Sequence, residues 1–207
     1  MNSRTAALAV GLAAGWLGLT GCAGKTRYPN YYVLNLRPPV APPTKFPILR
    51  TVAVREFRAP GFLTSGPIVY RQSPERLDYY AYHHWAEDPR RTVTTAMIRD
   101  LQASGIFQSV DMFDGRGSPD YVLTGTLDHL EELDNGTSVS TEVGLSARLL
   151  NVSTGEVIWQ GTSSRTAKVD QRSVSAVVAE MSSNLGGAVE ELVSSMQNRL
   201  SKPGVGQ

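Results

Sequence analysis

Cysteine is almost absent: Cys22 is the only one in 207 residues. A lone thiol excludes an intrachain disulfide, so the core alone must hold the fold. Charge of one sign is not in excess, with 20 Lys and Arg against 19 Asp and Glu. Phosphate backbones require a basic surface, so this balance argues against nucleic acid as a partner. It also offers no polybasic segment for anionic lipid headgroups. A membrane-spanning run is missing too. The apolar stretch Ala6 to Thr20 has about 15 residues, where a spanning helix needs about 20. Histidine is scarce, three in all. No H-E-x-x-H, G-x-S-x-G, Walker A or dinucleotide fingerprint follows Cys22. The chain is therefore expected to be no enzyme and to need no soluble cofactor.

What is present at the start is specific. Arg4 is the only charge ahead of Cys22, and the apolar run ends in small residues. A basic start, a short apolar run and a small-residue end describe a secretory leader, residues 1–21. Its last residues, Leu19-Thr20-Gly21-Cys22, resemble a bacterial lipobox. That resemblance implies diacylglycerol on the Cys22 thiol, cleavage before it and N-acylation of its new amine, with palmitate as a usual chain. Each buried CH₂ contributes about 0.8 kcal/mol, so several chains anchor where one would not. Ala23 follows, not the aspartate that retains such proteins at the inner membrane, so the resemblance points to the periplasmic face of the outer membrane. Cleavage removes one base and no acid, which leaves the mature chain neutral.

Residues 22–30 form a short polar tether, so the domain is expected close to the bilayer. The domain itself spans 31–200, and 201–207 is a polar tail. Tyr31 to Leu36 is aromatic and β-branched, a first strand. Arg37 to Pro47 is proline-rich and must be an extended connector. Ile48 to Phe57 is a strand with Val52, Val54 and Phe57 inward and Arg55 and Glu56 reaching water. Leu77 to Trp85 is a strand dense in aromatics, and the strands at 68–71 and 77–82 form a hairpin. Asp88-Pro89 is a cap followed by proline at the first helical position. Val93, Met97, Ile98 and Leu101 then fall on one face, and Gly105 stops the helix. Ile106 to Phe113 is a short strand. Tyr121 to Leu133, Thr137 to Leu150 and Val157 to Val169 form a meander, turned first at Asn135-Gly136. Val139, Val143, Leu145, Ala147 and Leu149 share one face of the middle strand. Ser173 to Leu200 carries an apolar stripe at helical spacing, with Ser183, Asn184, Glu190 and Glu191 opposite and Gly186-Gly187 marking a close approach or a kink. The fold class is α/β (α+β): one domain, a mixed β-sheet and two main helices packed on one face.

Few residues offer chemistry. His83-His84 lies beside Trp85, Glu87 and Asp88, but neighbours in a strand face opposite ways and His129 is distant. A structural or surface role is expected for the pair. Asp128, Glu131, Glu132 and Asp134 read as a solvated strand end. Tyr79, Tyr80, Tyr82 and Trp85 read as core and sheet face. Phe62 and Leu63 sit in a loop between Pro60-Gly61 and Ser65-Gly66. Two readings stand for them: anchors for a partner's pocket, or side chains folded back over the core.

The order of motifs resembles the ABC-type transport auxiliary lipoproteins, of the PqiC type. The matching stretches are the lipobox, Tyr31-Tyr32-Val33-Leu34, T-V-A-V-R-E-F into A-P-G-F-L, P-I-V-Y-R, W-A-E-D-P and L-Q-A-S-G-I-F. The resemblance covers about Tyr31 to Leu200. It implies a lipoprotein of the outer membrane, anchored in that bilayer. Its implied partners are an MCE-domain protein and an ABC transporter or related inner-membrane subunits, in a system that moves phospholipid or another hydrophobic substrate. A homo-oligomer is compatible with it, because many MCE assemblies are ringed. T-V-A-V-R-E-F before a glycine loop is also similar to the strand start of curli-secretion and TolB-like domains. That second likeness implies an envelope-assembly lipoprotein that regulates a cell-wall synthase or builds part of a secretion pore.

Overall fold

The computed structural model describes residues 27–39, 49–64 and 66–201. The leader, the lipobox residues Leu19, Thr20, Gly21 and Cys22, the start of the tether, most of the proline connector and the tail from 202 lie outside the described residues.

Among the described residues eight strands and two α-helices follow one another: β1 (Asn30–Tyr32), β2 (Leu49–Val54), β3 (Pro67–Ser73), β4 (Arg76–Trp85), α1 (Pro89–Ser104), β5 (Phe107–Met112), β6 (Tyr121–Asp134), β7 (Val139–Asn151), β8 (Val157–Val169) and α2 (Val174–Leu200). All the strands join one mixed sheet, as the sequence predicts. β6 is its spine. The start of β6 pairs in parallel with β2, with Val52 opposite Tyr121. Its end pairs in parallel with β3, with Tyr70 opposite Glu132. Its other edge is antiparallel to β7 throughout. β5 lies outside β2, β4 and then β1 lie outside β3, and β8 lies outside β7.

Local chemistry explains the boundaries. The Asp88 carboxylate accepts the Arg90 N–H at the start of α1, and Pro89 lacks the donor that this position does not need. Gly105 closes the helix at φ 67°, where a Cβ would be strained. Gly136 turns the β6–β7 hairpin at φ 85°.

The helices pack on each other and on one face of the sheet, α2 over β7 and β8, α1 over β2 and β5. The inward residues of β7 named above are all buried, as is the stripe of α2 from Val177 to Leu200. Gly187 marks a close approach: a Cβ there would lie 2.8 Å from the Arg165 guanidinium carbon. Among the described residues no helix is long and apolar enough to cross a membrane.

Three expectations need correction. β1 stops at Tyr32, not Leu36. Beyond it the chain crosses the helices: the Asn35 N–H donates to Ser182 Oγ on α2, and Arg99 on α1 donates to the Arg37 carbonyl. Asn184 does not face water; it is buried and donates to Thr141 Oγ1 at 2.9 Å. Glu131 and Glu132 are no solvated strand end either, at 1% and 3% exposure. A register shift between Leu127 and His129 inserts a residue and changes which side chains of β6 face the core.

Candidate functional site

The face of the β6–β8 meander opposite α2 is open. It forms a cleft of about 980 Å³ together with the turns at 113–119 and 151–155. Cross-strand register orders its floor. Val122 stands opposite Leu150, then Thr124 opposite Arg148, then Thr126 opposite Ser146. Gln160 and Thr162 continue these rows on β8.

Two more cations come from the chain beyond β2. The Arg55 N–H donates to the Leu123 carbonyl and the Arg58 N–H to the Gly125 carbonyl, each at 2.9 Å; the Leu127 N–H donates to the Arg58 carbonyl at 2.8 Å. Between them Phe57 turns inward, 1% exposed, its ring filling the place of a side chain at Gly125. Its own N–H donates to Thr94 Oγ1 on α1. The Arg55 guanidinium lies over the Phe113 ring, 4.5 Å from its centroid. Arg148 Nε donates to Thr124 Oγ1 at 3.3 Å. The lining thus carries Arg55, Arg58 and Arg148 and no carboxylate. Sequence reasoning missed this group. Arg55 read only as the end of a strand, and nothing linear links it to Arg148.

The residues singled out from sequence are placed as follows. Gly61–Leu63 is a single 3-10 turn. Leu63 is 2% exposed and belongs to the core, so it is not a surface anchor. The turn folds it inward because its N–H bonds back to the Pro60 carbonyl. Phe62 is half-buried against the same core. His83 and His84 do face opposite ways: Tyr32 lies against His83, with its hydroxyl 2.8 Å from Nδ1, and Tyr31 against His84. Trp85 is buried, Tyr80 half-buried, and Tyr79 and Tyr82 exposed.

The buried carboxylates of β6 are structurally matched. Arg71 Nε donates to Glu131 Oε2 at 3.0 Å, and His129 Nδ1 lies 3.1 Å from Oε1. Ligand atoms of His129, Glu131 and Glu142 lie within 4.8 Å of one another, the spacing of a metal group. Both Glu131 oxygens are already engaged, and Arg71 balances its charge. Glu132 accepts the Tyr80 hydroxyl at 2.8 Å. Burial pushes the Glu132 carboxyl above its ordinary range, and the bond from Tyr80 offsets part of that. Burial, then the same carboxylate, raises Tyr80 well above an ordinary phenol, so it remains the donor.

Residues 32–193 match the family described as ABC-type transport auxiliary lipoprotein component. The chain belongs to this family. The family is one of transport auxiliary lipoproteins, not an enzyme class. No curated protein is significantly similar to the chain. Among solved structures, protein XCC0632 from Xanthomonas campestris is similar at a TM-score of 0.70 and 22% identity, over 82% of this chain and 97% of that one. An uncharacterized protein is similar at a TM-score of 0.62 and 14% identity, over 82% and 99%. PelC from Paraburkholderia phytofirmans, described as a dodecamer, is a more distant likeness at a TM-score of 0.45 and 18% identity, over 73% and 93%. The first two show that the fold is shared.

Proposed function

We propose that this family member is an outer-membrane lipoprotein, anchored through lipid on Cys22. In this reading it docks an inter-membrane system that moves phospholipid or another hydrophobic substrate. The family match over 32–193, directly behind a lipobox, carries the reading. The chain from Cys22 to Arg27 spans at most roughly 18 Å, which keeps the domain at the membrane surface. Tyr28, Tyr31 and Tyr82 are exposed near the point where that chain arrives, and the Arg27 guanidinium lies over the Tyr82 ring. Aromatic side chains of this kind suit the headgroup region. The partners are an MCE-domain protein and an ABC permease or related inner-membrane subunits.

The test is purification of the tagged full-length protein from native membranes in gentle detergent, with mass spectrometry of what accompanies it. Transport subunits are expected. A cell-wall synthase or secretion component in their place would support the envelope-assembly reading. No partner at all would remove the docking reading.

A further inference from the structure

We propose that the open-face cleft binds an anionic amphiphile, with its acidic headgroup among Arg58, Arg148 and the neighbouring hydroxyls and its acyl chain toward Val122, Leu150 and Phe113. The proposal rests on the transport reading and names the class of cargo or bound lipid.

The first observation is charge segregation. Six arginines elsewhere form ion pairs: Arg71 with Glu131, Arg76 with Asp78, Arg90 with Asp88, Arg99 with Asp100, Arg165 with Glu191 and Arg172 with Asp134. Nine described arginines have no carboxylate partner, and three of them, Arg55, Arg58 and Arg148, lie together. They converge on one cleft that no acid lines. A guanidinium presents a planar fork that fits the oxygens of a phosphate or carboxylate. One anion placed there would meet cations only.

The second observation is direction. Along the β6 and β7 rows the outward pairs change from Val122–Leu150, through Thr124–Arg148, to Thr126–Ser146. Arg58 bridges at Thr126, on the hydroxyl end. Val152 and Phe113 extend the apolar end, with Arg55 stacked on the Phe113 ring. Val122 and Thr126 are separated by roughly 13 Å of strand. The cleft therefore has an end lined by Val122, Leu150, Val152 and Phe113, with Arg55 over the Phe113 ring, and an end that carries Arg58, Arg148 and the hydroxyls. An inorganic anion would leave the apolar end unused, and a neutral alkane would leave the guanidiniums unmatched. A molecule with both parts satisfies both.

The lipidated protein is placed in phosphatidylcholine nanodiscs and titrated calorimetrically, with empty discs as the blank. The probes are dihexanoyl phosphatidic acid, dihexanoyl phosphatidylcholine, inorganic phosphate and octanoate. Phosphatidic acid should bind, with phosphate and phosphatidylcholine each weaker by about tenfold or more. Octanoate binding alongside it would identify a general acidic amphiphile; its absence would narrow the site to phosphate. Arg58→Gln/Arg148→Gln should lose about tenfold or more in affinity at unchanged melting temperature. Leu150→Ser should weaken phosphatidic acid but not phosphate. Equal binding of phosphate and phosphatidic acid would overturn the proposal, as would equal binding of the two lipids or no binding. Self-association abolished by the double arginine variant would also overturn it, by making the face an interface between copies. Failure of the transport reading is separable. Lipid binding without co-purifying transport subunits removes that reading and leaves the cleft; subunits without lipid binding remove the cleft alone.

Discussion

Gly125→Ala is the sharpest test of how the cleft is built. A methyl group at this position would lie 2.3 Å from Phe57 Cε1 and 2.4 Å from Cζ. The ring has little freedom to retreat. Phe57 is 1% exposed, its N–H is bonded to Thr94, and the next residue, Arg58, is bonded to both Gly125 and Leu127. Backbone is therefore fixed on both sides of the clash. Overpacking of this kind costs about 1–3 kcal/mol. For a domain of this size that is a fall in melting temperature of about 3–10 °C. Urea and thermal unfolding of the variant measure it. Phe57→Leu alone should cost about 1 kcal/mol for the lost atoms. The double variant should cost less than the two together, by about 1 kcal/mol or more, because the smaller side chain makes room for the methyl. A melting temperature unchanged by Gly125→Ala, or simple additivity, would refute the reasoning. The same plug holds Arg55 and Arg58 over the cleft, so Gly125→Ala should also weaken anion binding there.

Leu63→Ala should cost about 2–4 kcal/mol in urea unfolding, since Leu63 is a buried core residue. Phe62→Ala should cost less, and any loss of co-purifying partner from Phe62→Ala at near-native stability would mark the turn as a contact. Arg71→Ala leaves Glu131 buried without its cation and should cost about 3 kcal/mol, with Arg71→Lys recovering part; a loss typical of an exposed pair would refute the burial argument. Glu132→Gln tests the raised carboxyl. Its folded value lies above the ordinary 4.5, so the folded state holds the proton more tightly than the unfolded chain. Native stability from this group is full below 4.5 and declines as pH rises through the folded value. The melting temperature of Glu132→Gln relative to native should therefore rise between weakly acidic and neutral pH, and a constant difference would refute the assignment.

Much of the fold was legible because its signals are local. Asp88-Pro89 and Gly105 are end signals that act within a few residues, and both ends of α1 lie at them. Asn135-Gly136 acts within a turn of residues 135–138, where Asn135 Oδ1 accepts the Thr137 and Ser138 N–H groups and Gly136 takes the positive φ, and β7 alternates cleanly because one face meets α2. What was misread depends on distant pairing. Tyr31 to Leu36 has strand-like residues throughout, yet only Asn30 to Tyr32 find a partner strand, in β4. Glu131 and Glu132 read as solvent-facing because the partners that match them come from β3 and β4, Arg71 and Tyr80. One extra residue after Leu127 shifts the inward side, and no residue type there announces it. Phe62 and Leu63 are adjacent apolar residues in a glycine- and proline-flanked loop, and sequence alone does not separate the one that turns in.

The cleft was illegible for a further reason, which concerns what a charge balance can exclude. The near balance of 20 Lys and Arg against 19 Asp and Glu argues against an extended basic surface. It is also an average. Six paired arginines bring their own carboxylates and contribute little field at a distance. Arg55, Arg58 and Arg148 contribute local positive potential in a concave site, where fields concentrate. They meet because β2 pairs only with the first part of β6, so its continuation runs along β6 at Gly125 and Leu127, while the hairpin returns Arg148 opposite Thr124. Parallel pairing of a strand near residue 52 with one near 121 is a property of topology and not of any short motif. Total charge therefore argues against a polyanion tracked along the surface, and says nothing against a single anionic group held in one cleft. Ionic strength distinguishes the two: the salt dependence of phosphatidic acid binding should be shallow, as for one anion in a site, and not the steep loss that release of many counterions produces.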